Sequence, residues 1–145
     1  MLVAASAPAA AAAQGDCTGP QSQVRLYVNV HNVRAAQGLV AVTLYADDPR
    51  RFLARRGSLY VGRVPARAGT TRICIHLPRT GVFALAIYHD ADGNRRFNRN
   101  AIGLPAEGFG FSNDAPTLFG LPSFRAVRLN VLRSGFETNV RMRYR

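Results

Sequence analysis

A twelve-residue segment carries acidic and amide side chains at the spacing of a cation-binding loop. It reads HDADGNRRFNRN, from His89 to Asn100, and follows a strongly apolar run. In a calcium-binding loop, oxygen-bearing side chains at alternate positions converge on one hard cation, and the ninth position adds a further contact. Counted from Asp90, the residues at the first, third, fifth and ninth positions are Asp90, Asp92, Asn94 and Asn98. Calcium is therefore the cofactor that this spacing suggests.

Two departures from the calcium-loop pattern count against a bound metal. Arg95 stands at the sixth position, where such loops carry glycine, and Ala101 stands at the twelfth, where they carry a bidentate glutamate. Arg95, Arg96 and Arg99 also place three positive charges close to the carboxylates. The favoured alternative is an Asx-rich turn whose side chains hydrogen-bond to their own backbone, with no cofactor.

The chain from residue 90 to 123 has no periodic apolar pattern. A connection of this length inside a compact domain is usually functional or packed by its own side chains. Its glycines and prolines define the backbone path, so its phenylalanines could line a small pocket at one end of the domain. The candidate ligand-binding residues are His89, Glu107, Phe109, Phe111, Asn113 and Asp114. The alternative is that the phenylalanines only hold the loop against the core.

Few residues of the chain could support catalysis. His89 beside Asp90, with Glu107 and Ser112 in the same stretch, is the one constellation from which acid-base or nucleophilic chemistry could be assembled. The sequence has no nucleophile elbow, HExxH motif, P-loop or dinucleotide fingerprint. We therefore predict no catalytic residue, with a small hydrolase as the remote alternative. The mid-strand His31 and His76 are expected to be solvated.

Two-residue periodicity dominates the rest of the chain. Apolar residues alternate with polar ones, which is typical of a half-buried strand. Seven strands are predicted: Val24–Val33, Leu39–Ala46, Ser58–Val64, Thr70–Leu77, Val82–His89, Phe124–Leu132 and Asn139–Tyr144. The run VFALAIY is apolar on both faces, so the strand that contains it is expected at the centre of a sheet.

The strand pattern predicts an all-β fold. Many short strands with almost no helix favour a single antiparallel β-sandwich with Greek-key connections over a closed barrel. The turn at Ala35–Gly38 predicts a hairpin between the first two strands. One short helix is expected in DDPRRFLARRG, which has an aspartate N-cap, a proline suited to the first turn, and Gly57 as a stop.

The beginning of the chain indicates export. Residues 1–13 form an apolar, small-residue run ending in Ala-Ala-Ala, which resembles a signal peptide that lacks its basic start. Residues 14–23 would then be an N-terminal arm, and residues 24–145 the sandwich domain. Cys17 and Cys74 are the only cysteines, and in an oxidising compartment they are expected to form one disulfide. No apolar run reaches the 18 residues of a membrane span, so we expect no transmembrane segment.

The chain is strongly basic, and all its basic side chains apart from histidine are arginine. Its 19 arginines against 8 acidic residues give a net charge of +11. The arginines expected to point away from the core, and to share a basic face, are Arg25, Arg72, Arg128, Arg141 and Arg143. Such a face suits a cell-envelope polyanion such as lipopolysaccharide phosphate, whereas export and the lack of an interleaved aromatic motif argue against nucleic acid. The alternative is a solvated face without a specific partner.

Three motifs resemble one bacterial family. They are GVFALAIYHDADGN, IGLPAEGFGFSND and FGLPSF, followed by a final strand ending in RMRYR. This chain resembles the exported family called domain of unknown function 2141, over residues 24–145. The resemblance implies a periplasmic or secreted sandwich of immunoglobulin or transthyretin type with no established activity. Family members more often have glycine at the position of Arg95 and aspartate at that of Asn98, so this chain departs from the family at both.

Together these observations predict an exported, non-catalytic module. We expect it to bind a ligand, a protein or a cell-envelope polyanion through the loop after the central strand. The alternative is a structural domain stabilised by a calcium-like cation.

Overall fold

The computed structural model describes residues 17–95, 107–117 and 120–144. Eight strands, one four-residue α-helix and a 3₁₀ turn over Ser112–Asp114 lie within these ranges. The strands are β1 (Val24–Val33), β2 (Leu39–Ala46), β3 (Tyr60–Pro65), β4 (Gly69–Leu77), β5 (Gly81–Asp90), β6 (Phe109–Phe111), β7 (Leu129–Val131) and β8 (Phe136–Arg141), and the helix is α1 (Phe124–Val127). The predicted leader, residues 1–13, and the predicted metal ligand Asn98 lie outside the described residues.

The strands form two sheets packed as a sandwich. One sheet has three strands in the order β4-β1-β8, and the other has the order β3-β2-β5-β6, with β7 also paired to β5. The predicted all-β sandwich is confirmed, and β5 is central, because it pairs with β2, β6 and β7. All described strand pairs are antiparallel except β1 with β8, which run parallel. This parallel pair is an exception within the antiparallel sandwich that the sequence predicted.

The hydrophobic core lies between the two sheets and follows from the alternation of apolar residues. Each long strand turns one row of side chains inward, and those rows interdigitate. The largest fully buried side chains include Leu26, Leu44, Ile73, Ile75, Leu77, Phe83, Leu85 and Ile87. We call the side of each sheet that faces away from this core its outer face.

The predicted hairpin between the first two strands does not form. β1 pairs with β4 and β8, whereas β2 pairs with β3 and β5, so the chain crosses from one sheet to the other between them. The pairing of β1 with β4 is irregular between Val30 and Val33, where Asn32 has a left-handed φ of 63°. The pairing with β4 resumes at Val33, opposite Gly69, and the backbone then leads into the opposite sheet.

The predicted helix after β2 is replaced by successive turns. Asp48 accepts a hydrogen bond from Arg50 N at 2.9 Å, as a cap would, but Leu53 and Arg56 both have φ values of 59°. A left-handed residue interrupts a right-handed helix. Phe52 packs against Tyr45, with ring centroids 5.2 Å apart, so the segment lies against the outer face of the five-stranded sheet. Packing and local strain therefore override the helix signals.

The end of the chain also differs from prediction. The predicted strand Phe124–Leu132 is split into α1 and the three-residue β7, and the last strand begins at Phe136 instead of Asn139. The parallel register of β8 with β1 sets that start, because Phe136 lies opposite Leu26 in the core.

The predicted disulfide is present and attaches the N-terminal arm to β4. The Cys17–Cys74 bond has a Cα–Cα distance of 4.5 Å. Thr18 donates its N–H to Cys74 O and accepts from His76 N, each at 2.9 Å, so the arm extends the edge of the three-stranded sheet. His76 is only 7% exposed in this environment, and its predicted solvation is wrong. His31 lies on the outer face, hydrogen-bonded to Thr70 and Asn139.

Candidate functional site

Three carboxylates converge where the loop after β5 begins and ends. Oxygen atoms of Asp90, Asp92 and Glu107 all lie within 4.8 Å of one another. We call these three residues the acidic cluster. Asp90 is fully buried at the end of β5, whereas Asp92 is exposed and Glu107 is partly buried. Three like charges at this separation repel one another, and a divalent cation between them would turn the repulsion into attraction.

The turn after β5 is held by the side chains predicted to hold a metal. Asp90 accepts hydrogen bonds from Asn94 N at 3.2 Å and from Arg95 N at 2.5 Å. Asp92 Oδ1 accepts from Asn94 N at 3.1 Å, and the Asn94 amide donates to Asp92 Oδ2 at 3.1 Å. These are the bonds of the Asx-rich turn that the sequence offered as the alternative.

The backbone at the sixth position has the conformation of a calcium loop despite its side chain. Arg95 has a φ of 63°, in the left-handed region that glycine adopts at no steric cost. Glycine at this position supplies the sharp turn in a calcium loop. The arginine therefore departs from the pattern in residue type and not in backbone shape.

Glu107 supplies a carboxylate that the sequence pattern did not assign to the metal. Its Oε2 accepts a hydrogen bond from Ala91 N at 3.1 Å, which connects the two ends of the loop. The antiparallel pairing of Tyr88 with Phe109 places Glu107 opposite Asp90. The sequence pattern instead placed Glu107 among the candidate ligand-binding residues. Its position opposite Asp90 was not predicted, because β6, the strand that sets this register, has only three residues.

His89 is a structural residue inside a hydrogen-bond chain. It is 2% exposed, with Nδ1 2.8 Å from Tyr144 Oη and Nε2 2.7 Å from Gln37 O. A carbonyl only accepts, so Nε2 carries the proton, and Nδ1 accepts from the tyrosine hydroxyl. Tyr144 Oη in turn accepts from Arg34 N at 2.8 Å. Burial raises the pKa of Tyr144, so the hydroxyl stays protonated. Both ring nitrogens of His89 are thus occupied, which disfavours the predicted ligand-binding role.

Phe109 and Phe111 lie together on the outer face of the five-stranded sheet. Gly110 between them faces inward, where a Cβ would lie 2.6 Å from Val140 Cγ1. Both phenylalanines are 2% exposed, and Phe52 packs on Phe111. Beside them is a groove of about 130 Å³. We call it the aromatic groove. The residues that line it are Thr43, Tyr45, Leu53, Ala86, Ile87, Tyr88, Phe109, Phe111 and Leu121.

Asn113 and Asp114 are not among the lining residues of the aromatic groove. The Asn113 amide donates to Ala126 O at 3.2 Å and to Arg128 O at 2.6 Å, which fixes the end of α1. Asp114 accepts from Arg141 N at 3.1 Å and pairs with Arg143 Nη1 at 3.4 Å. The two predicted ligand contacts therefore connect the 3₁₀ turn to its neighbours.

The five arginines predicted to share a face are divided among separate surfaces. The strand alternation and register put Arg25, Arg72 and Arg141 on the outer face of the three-stranded sheet. Arg128 instead forms a bidentate pair with Asp47 at 2.8 and 2.9 Å, and Arg143 pairs with the 3₁₀ turn. The Arg128 guanidinium lowers the pKa of the Asp47 carboxyl through this hydrogen bond.

Arg72 is part of a polar network on the outer face of the three-stranded sheet. Its guanidinium lies 2.5 Å from Glu137 Oε1 and 4.4 Å from the centre of the Tyr27 ring. Hydrogen bonds from Arg72 and Asn29 lower the pKa of Glu137. The network reduces the free positive charge that this surface offers to a polyanion.

Residues 28–139 match a family described as an uncharacterized protein conserved in bacteria, domain of unknown function 2141. The match covers more than half of the chain, so the protein belongs to this family, as its motifs indicated. No curated protein matches the chain at a significant level, and no solved structure does. No helix among the described residues is long and apolar enough to cross a membrane.

Proposed function

We propose that the protein is an exported, non-catalytic binding module and that the acidic cluster binds a divalent cation. The convergence of Asp90, Asp92 and Glu107 within 4.8 Å is the observation that carries this proposal. One carboxylate is fully buried, and the two ends of the loop meet at the cluster. A cation there would fix the loop on the sandwich.

The donor atoms favour calcium among the common cations. The cluster offers only carboxylate oxygens, which suit calcium, magnesium and manganese better than zinc or copper. The donors come from two segments of the chain, Asp90 and Asp92 at the end of β5 and Glu107 ahead of β6. Calcium accepts irregular coordination by six to eight oxygens, whereas magnesium requires near-ideal octahedral geometry.

Thermal unfolding with and without calcium tests the cation proposal. A cation that binds only the native state adds about 2.7 kcal/mol at a hundred times its Kd. That corresponds to a rise in Tm of about 5–10 °C for a chain of this size. Glu107→Gln keeps an oxygen for Ala91 N and removes one charge, so it should reduce the rise. Asp114→Asn, outside the cluster, should leave it unchanged. An unchanged Tm of the wild-type protein at millimolar calcium would exclude the cation site.

A second candidate function is binding of a ligand or cell-envelope component at the aromatic groove. It is favoured by the apolar lining, with its aromatic rings, on a sheet face outside the core. The net charge of +11 supports an anionic envelope partner. Affinity that rests on this charge must fall as salt is added, because surface charges are screened. Binding to anionic polysaccharide that is insensitive to salt would contradict the electrostatic version.

Export is part of the proposal and is supported by two features. The Cys17–Cys74 disulfide is typical of oxidising compartments, and residues 1–13 have signal-like composition. Fractionation of bacteria that express the full chain should find it in the periplasm or medium. A reduced protein in the cytoplasm would contradict this part.

The non-catalytic role is supported by the environment of His89, whose two ring nitrogens are held by Tyr144 and Gln37. Any hydrolysis detected in purified protein should survive in His89→Ala, provided that the variant folds. Its selective loss would revive the hydrolase alternative.

A further inference from the structure

The turn segment between β2 and β3 has an apolar side and a basic side. Residues 48–57, which we call the basic turn, contain four arginines and one aspartate, an excess of three positive charges. Phe52 is partly buried, and Leu53 lines the aromatic groove. The arginines, by contrast, are all exposed: Arg50, Arg51, Arg55 and Arg56. The segment therefore packs on the sheet through its apolar side chains and presents guanidinium groups to solvent.

The basic turn is held in one conformation. Phe52 packs edge-on against three aromatic rings, those of Tyr45, Phe111 and Phe124. Gly57 lies so close to Arg51 O that a Cβ would not fit there. Leu53 and Arg56 have left-handed φ values of 59°, which persist only where the surrounding structure imposes them. The arginines are thus displayed on a preorganised loop, which lowers the entropy cost of binding a partner.

The positive charge of the basic turn is only partly neutralised. Asp48 pairs with Arg50 at 3.3 Å and with Arg51 at 4.0 Å. The Arg50 side chain is 89% exposed, so its ion pair in water is weak. No ion pair among the described residues involves Arg55 or Arg56. These two guanidinium groups are available to an anionic partner.

Two exposed leucines flank the basic turn on the same outer face. Leu59 is 47% exposed and Leu121 is 44% exposed. Leu121 lines the aromatic groove together with Leu53 of the turn. The antiparallel pairing of β2 with β3, continued by one residue, puts Leu59 opposite Tyr45, on which the turn packs. Arginines beside exposed apolar side chains suit a lipid–water interface, where each finds its own environment.

We infer that the basic turn docks the protein on a bilayer surface that carries anionic phospholipid headgroups. Its arginines pair with lipid phosphates, which a guanidinium binds through parallel hydrogen bonds, and Leu59 and Leu121 enter the interface. The inference rests on the anionic envelope partner proposed above and is independent of the cation site. A dissolved polyanion would match the charge but would offer no apolar phase to the leucines, so a lipid surface is favoured over a polysaccharide.

The acidic cluster lies at the other end of the sheet and does not oppose this docking. The turn leaves β2 after Ala46, which is opposite Phe83, whereas Asp90 is seven residues further along β5. That is roughly 24 Å at the usual rise of a strand. The distance is about three Debye lengths at physiological salt, so the repulsion between the carboxylates and lipid phosphates is screened. Asp47, next to the turn, is paired with Arg128 at 2.8 Å.

Sedimentation with lipid vesicles tests the inference on the full chain. We expect binding to phosphatidylcholine vesicles that contain phosphatidylglycerol, weaker binding as salt is added, and no binding to phosphatidylcholine alone. Each arginine near an anionic surface contributes about fivefold in affinity, so Arg55→Gln/Arg56→Gln should bind about thirtyfold more weakly.

A matched control removes the same charge elsewhere. Arg67 is exposed beyond Pro65, at the end of β3 that pairs with Leu39, and Arg141 is exposed on the other sheet. Arg67→Gln/Arg141→Gln should therefore stay within about threefold of the wild-type affinity.

A single tryptophan reports whether the leucines reach the bilayer. The chain has no tryptophan, so Leu59→Trp carries only the introduced one. Its fluorescence should shift to shorter wavelength with anionic vesicles, because the indole leaves water for the interface. Ala68→Trp, at an exposed position near Arg67, should show no shift.

Each contrary outcome identifies what fails. Vesicle binding that is unchanged in Arg55→Gln/Arg56→Gln, without a shift in Leu59→Trp, would overturn docking through the basic turn and leave the anionic envelope partner. Binding to dissolved dextran sulfate, without binding to anionic vesicles, would overturn the lipid surface and also leave that partner class. No binding to either probe would remove the anionic envelope partner together with the inference.

Discussion

The hydroxyl of Ser112 connects the 3₁₀ turn to β5 and to α1. Removing it tests how much these buried hydrogen bonds stabilise the fold. Ser112 Oγ accepts a hydrogen bond from Leu85 N at 3.0 Å and donates to Val127 O. All three residues are completely buried. Ser112→Ala leaves a buried N–H and a buried carbonyl without partners. Each such group costs about 1–3 kcal/mol, so we expect a loss of about 2–4 kcal/mol in the free energy of unfolding.

Ser134 provides a matched control on the surface. Its Oγ accepts from Arg25 N, also at 3.0 Å, but this bond is exposed. Water replaces the lost partner in Ser134→Ala, so its stability should change by less than about 0.5 kcal/mol. Equilibrium urea unfolding measures both, and an m value of about 2 kcal/mol/M puts the Ser112→Ala midpoint lower by about 1–2 M. Equal losses in the two variants would refute the reasoning that burial decides the cost.

Three further predictions concern the cross-link, the sheet interior and a surface carboxylate. The disulfide closes a sequence separation of 57 residues, so Cys17→Ser/Cys74→Ser should lose about 4 kcal/mol of unfolding free energy in urea. Gly110→Ala would place a Cβ 2.6 Å from Val140 Cγ1, and it should lower stability by about 1–3 kcal/mol in the same assay. The pKa of Glu137 is lowered in the folded state. Its contribution to the free energy of unfolding is therefore present at pH above its usual pKa of 4.5, and it is lost as the pH falls through the pKa of the folded state. The Tm difference between wild type and Glu137→Gln should therefore shrink below pH 4.5, and a constant difference would contradict this.

Period-two patterning predicts which segments are strands but not which sheet each one joins. β1 and β2 have the same alternation, and the turn between them carried a hairpin signal, yet they lie in opposite sheets. Alternation shows only that one face of a strand is buried. Either sheet of a sandwich buries one face of its strands, so the pattern does not say which sheet a strand joins. The central β5 was predictable because a strand covered on both sides must be apolar on both. The parallel pairing of β8 with β1 had no local signal.

The candidate site was predictable where it depends on local spacing. The D-x-D-x-N pattern places Asp90, Asp92 and Asn94 in one turn, as the structure shows. The FGF pattern of Phe109 and Phe111 also contains the alternation that puts both rings on one face. Contacts over a long sequence distance could not be read this way. His89 meets Tyr144 from 55 positions along the chain, and no local pattern predicts that pairing.

The acidic cluster and the aromatic groove depend on the same short pairing. Asp90 and Tyr88 share a face of β5 and lie opposite Glu107 and Phe109, so one register builds both. β6 has only three residues, and it gains support from the bridge between Phe109 and Arg143. A cation that joins the two ends of the loop would stabilise this register and hence the groove wall. Because coupling between two binding sites is reciprocal, a ligand in the groove would strengthen cation binding by the same factor.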